Sequence, residues 1–360
     1  MLRIRDGRIS GVFLACLALL VGVAAVAGQG VEVGGQARNL VLGTQNGLLA
    51  QEVRVFLASL RSTGSMAEVV IFSAEESRHD LHEVAATFNA LVMSYNPVEI
   101  SAKHGPANLH RFSLFRQFLE DAGLGSFDQV FLCDIRDVYF QSDPFQSLAV
   151  PKGIGVAIEP AHLPIGQCDV HMRWLSSECP AYAREGMGKV LADKLRSCAG
   201  TTIGTPDSIH AYCQAMEDEA ERTVTEIGEA QGKALLGRAT TFDGEKYHLW
   251  CNDQAMHNVL LWTGKLNSTF PVRLYSAEDS LLATVGTMTS IKLSDQAEVL
   301  VECPTAGVGD GVCSGGEQPA AVVHQYDRVE ALVRTAQSLY GLPGETFLTF
   351  QQKHFPGQKS

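Results

Sequence analysis

The sequence predicts an α/β fold: a parallel sheet covered on both faces by helices. Two observations carry this expectation. Short apolar runs rich in β-branched residues alternate with amphipathic helical patterns, as they do where a parallel sheet is covered on both faces. One of those runs, QVFLCD at 129–134, ends abruptly in acid, and strands of doubly wound sheets release their ligand-binding residues at such carboxyl ends.

Taken in order, NLVLGTQNG (39–47) reads as a strand, followed by a helix carrying Leu48, Leu49, Val53, Phe56, Leu57 and Leu60 on its apolar side. AEVVIFSAE (67–75) is the next strand, then a helix through Leu81, Val84, Ala85, Phe88 and Leu91, then a short apolar VEI. A helix over 109–121 sets Phe112, Phe115, Phe118 and Leu119 on one stripe, and DAGLGS breaks it before QVFLCD. GIGVAIEP (153–160) is a further strand. After it come a loop-like CDVHMRW, a helix over 181–195, the glycine-containing SCAGTTIGT (197–205) and a polar helix over 206–223. KYHLWCNDQAMHNVLLW leads into a helix with Ala255, Val259 and Leu260. The late strands are PVRLY and AVVHQYD (320–327), and a terminal helix spans 329–339.

The chain has 360 residues, enough for one large domain or two modest ones. Its 40 acidic and 28 basic residues leave a net charge of −12, which provides no electrostatic footprint for nucleic-acid binding. An anionic substrate would therefore need a local basic site or a metal ion. Arg3, Arg5 and Arg8 precede the apolar run 11–28, which is short for a membrane span and long for a signal-peptide core. Ala25-Val26-Ala27 suits signal-peptide cleavage, and the positive flank suits a type II signal anchor; either places the remainder in the secretory pathway. The expected layout is a leader at 1–28, a linker at 29–37, one domain over 38–345 and a tail at 346–360.

Eight of the nine cysteines lie beyond the leader, and in an oxidising lumen the local pairs Cys168–Cys179 and Cys303–Cys313 are the expected disulfides. Asn267-Ser268-Thr269 is a glycosylation sequon. Cys168-x-x-His171 and His210-x-x-Cys213 together supply two thiols and two imidazoles, a set zinc accepts, in competition with disulfides or buried thiols. No GxxxxGK[ST], HExxH or GxSxG motif occurs.

Asp134 and Asp137 lie three residues apart on the turn after the QVFLC run, so both can reach one hard divalent cation through oxygen. The other reading of this turn has Asp134 capping backbone and Arg136 pairing with Asp137. Taken together, RFSLFRQFLEDAG, QVFLCDIRDVYFQSDPF, SCAGTTIGT, WCNDQAMHN and VVHQYDR resemble nucleotide-sugar-dependent glycosyltransferases of the GT-A fold, a Rossmann-like class, across about 38–342. The resemblance implies a mixed, mainly parallel α/β sheet flanked by helices in a single catalytic domain that uses a nucleotide diphosphate sugar and Mn²⁺ or Mg²⁺. It makes Asp134, Asp137 and His324 the metal ligands, and it makes Arg111, Asp134, Gly200 and Gly204 the donor-binding residues; Arg136, between the acids, either pairs with one of them and orients it or binds the donor diphosphate itself. Asp253 and Gln254 become the sugar-facing, catalytic pair. Two departures from the family pattern stand out: two residues separate the acids where one is usual, and Cys198 replaces an asparagine.

The expected function is transfer of a hexose or pentose to a glycan or glycoprotein, in the Golgi lumen if the leader anchors the chain and outside the cell if it is cleaved. The alternatives are a metal-dependent hydrolase and a carbohydrate-binding relative without turnover. Inversion at the sugar carbon would call on Glu159 or Asp253 as base.

Overall fold

The structure is a computed structural model, and it describes residues 4–5, 8–9, 37–45, 50–74, 79–97, 100, 107–148, 150–159, 164–227, 251–276, 281–285 and 319–341. The apolar run of the expected leader, most of the linker, Cys303, Cys313 and the tail lie outside these residues. Among the described residues no helix is long and apolar enough to cross a membrane.

Seven strands form the main sheet: β1 (Asn39–Gln45), β2 (Glu68–Ser73), β3 (Leu91–Ser94), β4 (Gln129–Cys133), β6 (Ile154–Ile158), β7 (Ser197–Gly204) and β8 (Val272–Tyr275). Their order across the sheet is β8-β6-β7-β4-β1-β2-β3. All neighbours run parallel except β7, which is antiparallel to both β4 and β6. The alternating pattern predicts the parallel strands, and the mixed, mainly parallel arrangement is the one the resemblance implies. From β1 the chain steps outward to β2 and β3 and then returns to β4 on the other side of β1. Strand order thus reverses between β1 and β4, the place where open α/β sheets form a crevice beyond their carboxyl ends.

The sheet is buried on both faces because its strands are apolar at successive positions. Leu40, Leu42, Val130 and Leu132 pack with Phe112, Phe115 and Phe118 of α3 (Ala107–Ala122), whereas Val41, Phe131 and Cys133 pack with Val53, Phe56 and Leu57 of α1 (Ala50–Ser62). Each of these large side chains contributes about 1.5–3 kcal/mol on burial. The same layer as α3 holds α8 (Pro206–Ile227) and α9 (Asp253–Trp262). A second, three-stranded sheet orders β9 (Leu282–Thr284), β10 (Val322–His324) and β5 (Val138–Phe140) beside the first; the one-turn α4 (Pro144–Ser147) follows β5, and α10 (Glu330–Tyr340) packs on this sheet.

Several expectations shift. The strand after α2 (His79–Thr87) is LVMS rather than VEI. Asn89 adopts the left-handed conformation at φ 51°, which stops the helix and moves Leu91 into the sheet. CDVHMRW is helical, α5 (Asp169–Arg173) passing into a π-helical turn at Trp174–Glu178. The helix expected over 181–195 is two short pieces, α6 (Pro180–Glu185) and α7 (Met187–Val190), separated by Gly186 at φ 67°. SCAGTTIG is a wholly buried strand at the centre of the sheet.

The expected Cys168–Cys179 bridge is replaced by Cys179–Cys251, with Cα atoms 4.5 Å apart. Cys168 instead sits 3.2 Å from the Nδ1 of His171. The observed bridge spans a sequence separation of 72 and ties the end of the π-helical turn to the residues that begin α9. Loop-closure entropy for that separation corresponds to about 4 kcal/mol. Cys179→Ala should lower thermal stability accordingly, and dithiothreitol should destabilise the wild type but leave the variant unchanged; calorimetry with and without reductant checks both.

Candidate active site

Strand β4 delivers the acid turn to the crevice. The Asp134 amide donates to the Gly200 carbonyl at 2.9 Å, extending the β4–β7 ladder, and Ile135 folds back over β1. A Cβ on Gly43 would lie 2.3 Å from Ile135 Cδ1, so glycine at this point of β1 leaves the space that Ile135 fills. Asp137 then leads into β5, whose first residue Val138 pairs with His324 of β10. The Gln325 amide donates to the Asp137 carbonyl at 2.7 Å and fixes that register. Strand pairing across 186 positions of sequence thus brings His324 beside both acids.

Asp134, Asp137 and His324 each offer one ligand atom, and these atoms all lie within 4.8 Å of one another. His324 Nε2 is buried without a hydrogen bond, 3.5 Å from Asp134 Oδ2 and 3.6 Å from Asp137 Oδ1. A Cβ on Gly200 would come within 2.6 Å of Asp134 Oδ2 and 2.5 Å of His324 Cε1, so glycine keeps this space open. Two carboxylates and an imidazole around an open volume could hold a divalent cation. Burial alone depresses the basicity of His324, but Cys198, Asp137 and Asp134 outweigh it and raise its pKa well above 6.5.

Arg111, on the first turns of α3, closes the cluster from below. One of its nitrogens, Nη1, pairs with Asp134 Oδ1, while Nη2 donates to Asp253 Oδ2 at 2.8 Å and to the Ala199 carbonyl at 3.2 Å. Its guanidinium also lies 4.9 Å from the Phe112 ring centre. Burial disfavours ionised Asp134, yet Arg111 and His324 together pull its pKa below the carboxylate range. Arg136, half exposed, points the other way and bridges Asp137 at 3.4 Å and Asp327 at 3.3 Å.

Helix α9 begins at the same crevice. Asn252 is its N-cap, its side chain accepting from the Gln254 amide at 2.8 Å. That arrangement directs the Asp253 carboxylate to Arg111. Gln254 Nε2 lies 2.7 Å from Glu159 Oε1 and 3.1 Å from His171 Nε2. Glu159, at the end of β6, pairs with Arg196 at 3.1 Å, and both side chains are only 1% exposed. The helix is clamped to β7 by Asn258, which exchanges hydrogen bonds with the Ser197 backbone at 2.9 and 2.7 Å, and by a Ser197–His257–Tyr212 chain with both contacts at 2.9 Å.

Of the residues singled out in the sequence, the structure gathers Asp134, Asp137, His324, Gly200, Arg111 and Asp253, with Gln254 adjoining. Gly204 is not among them. Strand β7 runs antiparallel to β4, so Gly204 pairs with Val130 at the far end, against the Gly153 carbonyl and roughly 13 Å from Gly200. The zinc set does not assemble, because His210 binds Glu120 at 2.9 Å and Cys213 is in the core. Glu159 does not stand as an open base, since Arg196 and Gln254 enclose it. The supporting role of Glu159 escaped the sequence reading even though GIGVAIE ends in acid just as QVFLCD does, and the two strands point to the same edge.

No protein-family model matches the sequence. No curated protein matches it either. Among solved structures, the chain is similar to the galactosyltransferase LgtC in complex with donor and acceptor sugar analogs, at 14% identity and TM-score 0.47, covering 85% of this chain and 98% of that one. It is also similar to the bifunctional glycosyltransferase WbbM, at 11% identity and TM-score 0.45, covering 86% of this chain and 52% of that one. A third is the glycosyltransferase GlyE of Streptococcus pneumoniae TIGR4, at 11% identity and TM-score 0.42, covering 80% and 55%.

The buried imidazoles around α9 make a pH prediction. Burial first, and then nearby arginine (Arg196 for His171, Arg111 for His257), lowers both from 6.5 to about 3. Below 6.5 the unfolded chain binds protons that the folded chain refuses, so stability is present above that pH and is lost as pH falls, by about 1.4 kcal/mol per unit for each group. His324, with its pKa raised, acts in the opposite sense and in the window above 6.5. Denaturant unfolding between pH 6.5 and 4.5 should show the loss, and His257→Gln should flatten its slope; an unchanged slope contradicts the assignment.

Proposed function

We propose that this chain is a divalent-cation-dependent glycosyltransferase that moves a hexose or pentose from a nucleoside diphosphate sugar to a glycan or glycoprotein. The observation that carries this reading is the convergence of Asp134, Asp137 and His324, backed by Arg111, at the switch point of the sheet. An acidic protein of net charge −12 meets an anionic donor only where local positive charge is supplied. A cation held by these three residues would offset the charge that develops on a diphosphate leaving group. Arg111 sets the spacing between Asp134 and Asp253, and Gln254 stands next to them on the first turn of α9, where a sugar attached to the diphosphate would lie.

The compartment belongs to the same proposal. The basic flank and apolar run of residues 1–28 support entry into the secretory pathway, either as a Golgi type II membrane protein or, after cleavage, as a secreted one. A disulfide between Cys179 and Cys251 suits that oxidising environment.

A panel of nucleoside diphosphate sugars, assayed with Mn²⁺, Mg²⁺ or EDTA on the chain lacking residues 1–28, tests the reading. At least one donor should be hydrolysed or transferred in Mn²⁺ or Mg²⁺ only, and Asp137→Ala should reduce the rate by roughly 100-fold or more. Turnover in EDTA contradicts the proposal. Saturable sugar binding with no turnover of any donor favours a binding module instead.

A further inference from the structure

We propose that Glu159 and His171 are positioning residues that hold the Gln254 carboxamide in one orientation, nitrogen inward and carbonyl oxygen outward. The inference deepens the function proposed above and rests on it for its kinetic arm alone.

A carboxamide has a donor end and an acceptor end, so what it presents to a ligand depends on which end the protein takes up. Here the inward surface is unambiguous. Glu159 Oε1, 2.7 Å from Gln254 Nε2, can only accept. Turning the amide over would set its oxygen against a carboxylate, two acceptors facing each other in a site where Glu159 is 1% exposed. The second Nε2 proton faces His171 Nε2 at 3.1 Å. For that nitrogen to accept, the His171 proton must sit on Nδ1, which is the atom 3.2 Å from Cys168 Sγ. Burial keeps His171 neutral, as this tautomer requires.

Both supports are themselves anchored. Arg196 Nη1 lies 3.1 Å from Glu159 Oε2, and the Glu159 amide donates to the Arg196 carbonyl at 2.9 Å. The ring of His171 lies tilted against that of Trp174, with centres 4.8 Å apart, and Trp174 opens the π-helical turn ending at the Cys179–Cys251 bridge. From Cys251 the chain reaches the Asn252 cap and Gln254 within three residues. One covalent and hydrogen-bonded ring therefore fixes both the backbone and the side chain of Gln254. Its outward atom is a lone-pair oxygen, so the group it selects on the ligand is a hydrogen-bond donor, such as a sugar hydroxyl.

The test joins a measurement on the resting protein to a double-mutant cycle. In the full chain, NMR of labelled glutamine should show a Gln254 side-chain proton exchanging with solvent at least about 10-fold more slowly than free glutamine, and Glu159→Gln should abolish the protection. Histidine nitrogen shifts should place the His171 proton on Nδ1. With an active donor, Glu159→Gln should lower kcat about 10-fold, leave donor KM within about twofold, and leave Mn²⁺ affinity by calorimetry unchanged. In a Gln254→Ala background the same change should have less than about a twofold effect, because nothing remains to orient. Rapid exchange in the wild type, or an undiminished effect in the Gln254→Ala background, overturns the inference. Absence of transfer from every donor would defeat the proposed function, and the exchange measurement would still decide the orientation.

Discussion

The buried guanidinium of Arg111 is the contact on which the geometry of the crevice depends. Asp134, Asp137, Glu159 and Asp253 all emerge at one edge of the sheet, from the ends of β4 and β6 and the start of α9. Without compensation, four carboxylates at one edge would repel one another and resist burial. Arg111 lies between Asp134 and Asp253 at 9% side-chain exposure and binds both, so the strand turn and the helix start are held at one separation. Arg196 pairs with Glu159 at the end of β6, two strands from β4. Removing the partner of a buried pair typically costs 3–5 kcal/mol because the other charge is left unpaired. Electrostatic balance, rather than apolar packing alone, sets where the acids stand.

Small side chains make that balance possible. Strand β7 begins Ser197-Cys198-Ala199-Gly200 at the crevice, and each step is tight enough to let a neighbour approach. The Ala199 carbonyl reaches Arg111, the Gly200 carbonyl receives the Asp134 amide, and Cys198 Sγ lies 3.4 Å from His324 Nδ1. Cys198, which departs from the asparagine that the resemblance leads one to expect, thus sits on the far side of the imidazole from the acids. Because its other nitrogen is occupied there, His324 turns Nε2 toward Asp134 and Asp137.

Much of this was legible in the sequence, for identifiable reasons. Strand and helix alternation depends on short-range periodicity, and QVFLCD announces both a core strand and the acidic turn that ends it. The stripe of Phe112, Phe115 and Phe118 marks the buried side of α3 and leaves Arg111 off it. What could not be read depends on distant pairing. SCAGTTIG, buried on both faces, lacks the alternation of a half-exposed strand and contains glycine, so its place in the sheet was invisible. Its direction separates Gly200 from Gly204, two residues that are equivalent by composition. Arg136, which by sequence either pairs with an acid or reaches the donor, pairs with Asp137 and with Asp327, a residue that β10 brings near. The Cys179–Cys251 bridge likewise follows from where α9 docks, and proximity in sequence pointed to Cys168 instead.

The central claim is that Asp134, Asp137 and His324 form one metal site at the end of β4. Anomalous diffraction from crystals of the protein grown or soaked with Mn²⁺ tests it most directly. The account predicts a single strong manganese peak within coordination distance of Asp134, Asp137 and His324, lost on His324→Ala. A peak elsewhere, or none at these residues at saturating Mn²⁺, would contradict it.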